Sequence, residues 1–312
     1  MASPLSIENL VKTYGKAGKT VEAVKGVTFD VRPGEIFGLL GPNGAGKTSI
    51  ISCITTLEEP TSGAVKVFGE NNQKNAKFTK SQIGVVAQEV IQHGFFSVYE
   101  IMTFHSGFYG IWNNKERIEF LLNKLNLWEH RDKKVKQLSG GMKRRLMIAK
   151  SLVHTPKLLL LDEPTAGVDI ELRESLWKFV VELKKSGMSI LLTTHYLEEA
   201  EQLCDRVGII HHGSLRYLGE TKKIIHQLTK REVVLKMTEP QPQAKHSHLV
   251  SNTNGEIHFL IPADLELGEV LSNSNINSGH IRDIQIKEGS LEDAFLQVLG
   301  SKGENRGVEA SR

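Results

Sequence analysis

A glycine-rich loop between an apolar segment and a predicted helix constrains the fold of this chain more than any other stretch. The loop follows the apolar run 36–40 and reads Gly41-Pro42-Asn43-Gly44-Ala45-Gly46-Lys47-Thr48. A strand, such a loop and a helix form a phosphate cradle, because glycines let backbone N–H groups approach phosphate oxygens that a Cβ would obstruct. The helix adds its positive dipole end to the same anion. The pattern therefore favours a nucleotide site over a plain glycine turn.

The residues at the end of the loop have predicted roles in that site. Lys47 is expected to reach the β- and γ-phosphates of a bound nucleotide, and the Thr48 hydroxyl is expected to bind Mg²⁺. The predicted nucleotide contacts run from the first glycine into the helix, and they are Gly41, Pro42, Asn43, Gly44, Ala45, Gly46, Lys47, Thr48 and Ser49.

Length and composition narrow the class of protein. The 312 residues can form one large domain and a small one. The net charge of +3 does not indicate a nucleic-acid partner. The short basic clusters 133–136 and 143–145 are interpreted as solvated faces or small contact patches. The 2 cysteines, Cys53 and Cys204, fit a reducing cytoplasm. Since no apolar run reaches the roughly 18–20 residues of a membrane span, we expect a soluble chain that meets a membrane only through a partner.

Two segments before the loop have the alternating pattern of half-buried strands. Residues 5–11 and 21–31 alternate apolar and polar side chains, which predicts an antiparallel pair. Tyr14 is placed in the turn between them. Its ring is suited either to stack on an adenine, a contact of roughly 1–3 kcal/mol, or to pack on the loop itself.

Four polar side chains follow predicted buried strands. Gln88 follows residues 83–87, Asp162 and Glu163 follow four leucines, and His195 follows residues 189–194. Open α/β sheets place ligand sites at the carboxyl ends of their strands, so these residues are expected to meet. Gln88 is expected to contact Mg²⁺ or the attacking water, although a glutamine at a strand end is often merely exposed. His195 is expected to donate a hydrogen bond to the γ-phosphate.

The two adjacent acids are expected to do different work. Neighbouring residues on a strand point to opposite faces, so Asp162 is predicted to hold Mg²⁺ and Glu163 to polarise the attacking water. The tight turn that follows ends at Asp169, a further predicted contact.

Residues from about 97 to 154 lose the strand pattern and are predicted to be a helical insertion. Within it, Ser139 is placed as an N-cap, and Gly140 and Gly141 follow in the first turn of a helix. A capped helix can carry early glycines without function. Two adjacent glycines at an exposed helix N-terminus nevertheless favour a second anion site.

The composition changes after residue 219. Residues 220–300 alternate strand-like and helix-like runs, and they are predicted to form a small α+β domain without a chemical motif. Residues 301–312 are predicted to be a disordered tail.

Taken in order, these motifs resemble those of the ATP-binding subunit of ABC transporters over residues 5–219. The set corresponds to Walker A at 41–48, the Q-loop at Gln88, the signature at 138–141, Walker B at 158–163, the D-loop at 166–169 and the H-loop at His195. Tyr14 lies where that family keeps its adenine-stacking aromatic residue. The resemblance implies an α/β fold: a P-loop NTPase core of the ABC ATPase type with an antiparallel β subdomain and a helical insertion, plus the C-terminal α+β domain over 220–300.

Three further segments are similar to the ABC-2 type exporters, the branch that includes YadG-like ATP-binding proteins. They are residues 138–145, 193–201 and 290–295. Met142 and Val168 replace the Gln and Leu of many relatives, at positions that do not touch the phosphates. The resemblance implies an ATPase with ATP and Mg²⁺ that powers export through a separate membrane permease.

The same resemblance implies the assembly. Two copies are expected to pack head to tail, so that Ser139, Gly140 and Gly141 serve the γ-phosphate bound by the partner's loop. Residues 89–100 are expected to face an ABC-2 type permease, which places the protein on the cytoplasmic side of the membrane. A soluble ABC ATPase acting on ribosomes, DNA repair or chromosomes is the alternative, as is an importer subunit. The exporter is favoured because the sequence contains one cassette and neither a coiled-coil repeat nor a cysteine cluster.

Overall fold

The computed structural model describes residues 2–16, 19–88, 94–253 and 255–300. The chain forms two compact units, and the division between them falls between Leu218 and Gly219. None of the helices in the described ranges is long and apolar enough to cross a bilayer.

The described residues of the first unit form ten strands and seven helices. The strands are β1 Leu5–Lys16, β2 Lys19–Val31, β3 Ile36–Leu40, β4 Ser62–Val67, β5 Glu70–Asn71, β6 Ile83–Val86, β7 Leu158–Asp162, β8 Ser189–Thr194, β9 Arg206–His211 and β10 Ser214–Glu220. The helices are α1 Lys47–Ile54, α2 Ala76–Gln82, α3 Val98–Phe108, α4 Lys115–Lys124, α5 Gly140–Leu152, α6 Ile170–Lys185 and α7 Leu197–Leu203, with 3₁₀ turns at Trp128–His130 and Val135–Gln137.

A six-stranded sheet in the order β10-β9-β3-β8-β7-β6 forms the centre of this unit. The strands from β9 through β6 pair in parallel, and every residue of β3, β7 and β8 is buried. Their mainly apolar sequences are typical of strands covered on both faces. The register pairs Leu40 with Thr194 and Asp162 with Thr193. The residues that follow these strands therefore emerge side by side at one edge of the sheet.

A second sheet, in the order β2-β1-β4-β5, is antiparallel. The predicted antiparallel pair is present, but the placement of Tyr14 in a turn was wrong. Tyr14 lies within β1 and is paired with Val21 of β2. The strand continues past residue 11 because the hairpin partner supplies cross-strand pairing there, where the local residue pattern was ambiguous.

The helical insertion is present between β6 and β7. A capping box begins α3: the Ser97 hydroxyl accepts from the Glu100 amide at 3.2 Å, and the Glu100 carboxylate accepts from the Ser97 amide at 2.7 Å. In α4, the buried side chains of Ile118, Leu121 and Leu122 have the predicted helical spacing.

The second unit is an α+β fold with a four-stranded antiparallel sheet in the order β12-β13-β11-β14. Its elements are α8 Thr221–Leu228, β11 Lys230–Met237, β12 Leu249–Thr253, β13 Glu256–Pro262, α9 Leu267–Ser272, a 3₁₀ turn Ser278–His280, β14 Ile281–Lys287 and α10 Leu291–Gly300. Its core contains Val233, Leu235, Ile257, Phe259 and Val270. Strand β12 was not predicted, and the predicted disorder of 301–312 lies outside the described residues.

Candidate nucleotide-binding site

The glycine loop joins the buried end of β3 to α1, which begins at Lys47. A Cβ on Gly41 would lie 2.3 Å from the carbonyl oxygen of Ile210, and one on Gly46 would lie 2.5 Å from that of Ala23. These glycines are therefore required by the close approach of neighbouring backbone. Pro42, Asn43 and Gly44 are exposed on the outer side of the loop. The first backbone N–H groups of α1 have no partner within the helix, so the loop has the donors that a phosphate requires.

Lys47 is buried against the loop that precedes it. Its Nζ donates to the carbonyl oxygens of Gly41 at 2.7 Å and Pro42 at 3.2 Å, and it lies 3.8 Å from Oε1 of Glu163. Burial lowers the pKa of Lys47, while the carboxylates of Glu163 and Asp162 raise it. The lysine is thus surrounded by oxygen acceptors at the point where phosphate oxygens would enter.

Glu163 is the residue on which the predicted catalytic side chains converge. Its Oε2 accepts a hydrogen bond from the Gln88 amide at 3.0 Å and lies 3.3 Å from Nδ1 of His195. With Lys47 on Oε1, the carboxylate is contacted by three side chains from three different segments. Glu163 also has a φ of 47°, a conformation that costs about 1 kcal/mol or more for a residue with a side chain. Its amide donates to the carbonyl oxygen of Thr193 at 3.0 Å, which helps to hold that backbone in place.

Asp162 faces a different set of groups, as its place on the strand predicts. Its carboxylate accepts a hydrogen bond from the Thr193 hydroxyl. Burial raises the pKa of Asp162, and the hydrogen bond from Thr193 opposes that rise. The Thr48 hydroxyl, at the start of α1, is exposed. Thr48, Asp162 and Gln88 offer the oxygen ligands that Mg²⁺ prefers, so the residues present fit that ion.

The second predicted anion site lies at the start of α5. The Ser139 hydroxyl accepts from the Met142 amide at 3.2 Å, which makes Ser139 the N-cap of that helix, as predicted. Ser139 and Gly140 are exposed, and a Cβ on Gly140 would meet open space. Packing also requires a glycine at position 141, because an added Cβ would lie 2.6 Å from the Leu172 side chain. The hydroxyl of Ser139 is bonded within its own helix, and Ser139 is not among the side chains that contact Glu163.

Two further predicted contacts have local partners. The Tyr14 hydroxyl donates to the hydroxyl of Ser49 at 3.3 Å, so the half-exposed ring borders the start of α1. The Asp169 carboxylate accepts from the Leu172 amide at 2.8 Å and is the N-cap of α6. Their contacts with a nucleotide remain predictions.

Arg144 was missed by sequence reasoning, because the cluster 143–145 was interpreted as a solvated face or contact patch. That interpretation is wrong for Arg144, which is 3% exposed. It lies on the same face of α5 as the buried Ile148 and Ser151, and this helical spacing was the available signal. The guanidinium donates to five backbone carbonyl oxygens: Pro164 at 2.7 Å, Ala87 at 2.8 Å, Gln88 at 3.1 Å, Asp162 at 3.3 Å and Glu163 at 2.6 Å. It therefore joins the helix that Ser139 caps to the segments that carry Gln88 and Glu163.

Glu199, a second buried residue that was not predicted, supports the other side of the site. It lies on α7, just after His195, and accepts from the Thr165 hydroxyl at 3.1 Å and the Trp177 indole at 3.0 Å. Burial raises the pKa of Glu199, and its hydrogen bonds oppose that rise. These bonds hold the segment after β8 against the turn that follows Glu163.

Comparison with known proteins identifies relatives over nearly the whole chain. A family model described as "ABC transporter" matches residues 24–166. A linearmycin resistance ATP-binding protein of Bacillus subtilis is 34% identical, over 95% of this chain and 98% of its own length. A Nod factor export ATP-binding protein of Burkholderia orbicola is 35% identical, over 96% of this chain and 97% of its own length. A solved structure, the ATP-binding subunit of an ABC transporter, is 29% identical with a TM-score of 0.65 and covers 72% of this chain and 93% of its own. The predicted α/β fold class is thereby confirmed.

Proposed function

The chain belongs to the family of ABC transporter ATP-binding proteins, and from that premise we propose that it is the ATPase subunit of an ABC-2 type exporter. It binds and hydrolyses ATP, as the family does. Two relatives are named for export or for drug resistance, and both align along more than nine-tenths of this chain. The observation that carries the proposal within the molecule is the convergence of Lys47, Gln88 and His195 on the carboxylate of Glu163.

This convergence supports a proposed role for each side chain. Glu163 is the group that polarises the attacking water, because its carboxylate is fixed by three neighbours and lies beside the phosphate-binding lysine. Lys47 binds the β- and γ-phosphates, and His195 donates to the γ-phosphate. Mg²⁺, when bound, would neutralise part of the negative charge of those phosphates. Thr48, Asp162 and Gln88 are the residues that would hold it.

The two anion sites support head-to-tail dimerisation of two copies. The Ser139 helix presents its exposed N-terminus, while the side chains that contact the Glu163 carboxylate are those of Lys47, Gln88 and His195. A single ATP has one γ-phosphate, so the Ser139 hydroxyl and the amides of Gly140 and Gly141 are suited to the ATP bound by the partner copy. Closure of the pair would exclude bulk water, and hydrolysis would allow it to reopen.

An exposed aromatic groove on the helical insertion supports a membrane partner. The groove has a volume of about 590 Å³, and its lining includes Phe96, Ile101, Phe104, Phe108 and Trp112. Both Phe108 and Trp112 are 83% exposed, which rules them out as core of the insertion. Exposed apolar surface of this kind is typical of a protein interface, and a groove of aromatic residues suits an amphipathic helix.

The occupant that we propose is a cytoplasmic helix of an ABC-2 type permease. That partner would place this chain on the cytoplasmic face of the membrane. Residues 89–93 of the segment predicted to face the permease lie outside the described residues. Of the remainder, Phe95 is 84% exposed and Phe96 is 42% exposed, so both are available to the same partner.

Affinity purification of the full chain from detergent-solubilised membranes of its source tests the assignment. We expect a protein with several membrane-spanning helices to co-purify, and the pair reconstituted in liposomes to hydrolyse ATP. Phe108→Glu and Trp112→Glu should abolish co-purification without changing the thermal midpoint. Phe120→Glu, at a 50% exposed phenylalanine on α4 outside the groove, is the matched control. Unchanged recovery in the groove variants, or co-purification with ribosomes or DNA-repair proteins instead, would overturn the proposal.

A further inference from the structure

Strand β14 forms one edge of the sheet in the second unit. Among the described strands it pairs with β11 alone. Its residues from Arg282 to Lys287 are all exposed. An edge strand of this length presents a row of backbone N–H and C=O groups that can pair with another strand.

The apolar face of the sheet extends to this edge. Ile284 pairs with Leu235, and Ile286 pairs with Val233, in the register of β11 and β14. Directly paired residues lie on the same face of a sheet. Leu235 and Val233 are fully buried in the core of the unit, whereas Ile284 is 41% exposed and Ile286 is 48% exposed. The core-facing apolar row therefore ends at two isoleucines that the described residues cover only in part.

The sequence of this edge is complementary to itself when it is reversed. Residues 282–288 read Arg-Asp-Ile-Gln-Ile-Lys-Glu. An antiparallel copy of the strand, centred on Gln285, would place Asp283 opposite Lys287 and Ile284 opposite Ile286. The flanking residues Arg282 and Glu288 would also be opposite each other. Every charged residue in the segment then meets the opposite charge, and each isoleucine meets an isoleucine.

We propose that β14 pairs with the β14 of a second copy of this chain across a two-fold axis at Gln285. The pairing would join two four-stranded sheets into one and continue the apolar row from Val233 and Ile286 into Ile284 and Leu235 of the partner copy. Each cross-strand pair occurs twice because the interface is two-fold symmetric. Such pairs contribute roughly 0.2–1 kcal/mol each. This contact requires no nucleotide and does not rest on the proposed closure around ATP.

The other edge of the sheet offers a contrast. Strand β12 contains Leu249, Val250, Ser251, Asn252 and Thr253, and it carries no charged residue. Of the two edge strands of this sheet, β14 alone carries charged residues that can specify an antiparallel register with a second copy.

Sedimentation equilibrium of the full chain without nucleotide tests the pairing with a charge-exchange cycle. Asp283→Lys would place a lysine opposite Lys287 twice, and Lys287→Asp would place an aspartate opposite Asp283 twice. Each single variant should raise the dimer dissociation constant at least about tenfold. The double variant restores opposite charges across the interface, while each replaced residue still faces a like charge on β11, Lys236 or Glu232, as it does in the single variants. Its dissociation constant should therefore fall at least about threefold below that of either single variant. A monomeric unaltered chain at about 100 μM, or a double variant no better than the singles, would overturn the proposal.

A cysteine at the symmetry axis gives an independent test. Opposite residues of an antiparallel pair have Cβ atoms about 4.5–5.5 Å apart, close to the separation in a disulfide. Gln285→Cys should therefore form a covalent dimer under mild oxidation, since the native Cys53 and Cys204 are both buried. Val250→Cys, at a 66% exposed position on the opposite edge, is the control and should remain monomeric. Equal cross-linking of the two variants would contradict the pairing.

Discussion

The Nζ of Lys47 lies 3.8 Å from Oε1 of Glu163, and both side chains are buried. The proposed phosphate-binding cation and the proposed water-polarising carboxylate are therefore electrostatically coupled. On the proposed mechanism, a γ-phosphate that enters the loop would bring a second anion to Lys47 and would compete with Glu163 for it.

Glu163→Gln removes the negative charge but keeps the shape and the capacity to accept from Gln88. Loss of a positioned general base costs about 10²–10⁴-fold, so turnover should fall by at least a hundredfold while ATP binding persists. The variant should also accumulate as an ATP-bound dimer, measurable by gel filtration with light scattering. Glu119→Gln, at an exposed position on α4, is the matched control. Hydrolysis at the normal rate in Glu163→Gln would remove this residue as the base.

Ser139→Arg tests whether the second anion site acts on the partner's ATP. A bulky cation at the exposed N-terminus of α5 should block closure of the pair and abolish hydrolysis. Binding of a fluorescent ATP analogue to the monomer should be unchanged, because Ser139 is not among the side chains around Glu163. Ser139→Thr keeps the hydroxyl and the N-cap and should retain activity. An equal loss of binding and hydrolysis in Ser139→Arg would contradict action in trans.

Arg144→Lys tests whether the guanidinium positions the catalytic segments. Lysine keeps the charge but cannot donate to five carbonyl oxygens at once. We expect a loss of about 2–4 kcal/mol in the free energy of unfolding. The kcat should also fall at least tenfold with a nearly constant KM for ATP, because small displacements of Glu163 are costly. Arg117→Lys, at an arginine that donates to the Leu152 carbonyl, is the control and should lower stability alone. If Arg144→Lys and Arg117→Lys lowered kcat by the same factor, Arg144 would have a structural role only.

The positions of the proposed catalytic side chains were predictable because they depend on local sequence. Four leucines specify β7, and the carboxyl ends of parallel strands share one edge, so Gln88, Glu163 and His195 were expected to meet. The helical spacing of Arg144 with Ile148 and Ser151 could have indicated its burial. Its partners could not be predicted, because they are backbone carbonyl oxygens of distant segments. The left-handed backbone of Glu163 is likewise a product of the tertiary fold.

Errors of the sequence prediction lie where the hydrophobic pattern is weak. Strand β12 was missed because it is an edge strand with polar residues and an exposed Val250. Tyr14 was placed in a turn because the polar residues after residue 11 interrupt the alternation, although cross-strand pairing extends β1 to Lys16. In both cases the strand is specified by its partner more than by its own residues.

Removal of residues 220–312 tests whether nucleotide binding requires the C-terminal domain. All the predicted nucleotide contacts lie before residue 219, so ATP binding should persist with a dissociation constant within about threefold of the full chain. Isothermal titration of both proteins with a non-hydrolysable ATP analogue measures this. A truncated chain that folds, by its circular dichroism, but fails to bind would show that the C-terminal domain contributes to the nucleotide site.

A buried histidine makes the stability of the first unit depend on pH. His154 stacks on Tyr109 with ring centroids 3.6 Å apart, and its Nε2 lies 2.9 Å from the Ile83 carbonyl oxygen, to which the neutral ring donates. Burial lowers the pKa of His154 from its ordinary value of 6.5 to about 4, and nearby Arg117 adds to that effect. Between these values the unfolded chain binds a proton that the folded chain does not.

The free energy of unfolding should therefore fall as the pH falls from 6.5 toward 4, and be unaffected by this group above 7. From pH 7 to pH 5 the expected loss is about 2 kcal/mol. Urea unfolding followed by tryptophan fluorescence measures it, since Trp112, Trp128 and Trp177 are the 3 tryptophans of the chain and all lie in the first unit. His154→Gln removes the titrating group, so the decrease in its free energy of unfolding from pH 7 to pH 5 should be about 2 kcal/mol smaller than that of the unaltered chain. His226→Gln, at an exposed histidine, should show the same decrease as the unaltered chain. If His154→Gln keeps the full pH dependence, the acid sensitivity of this unit arises from other groups.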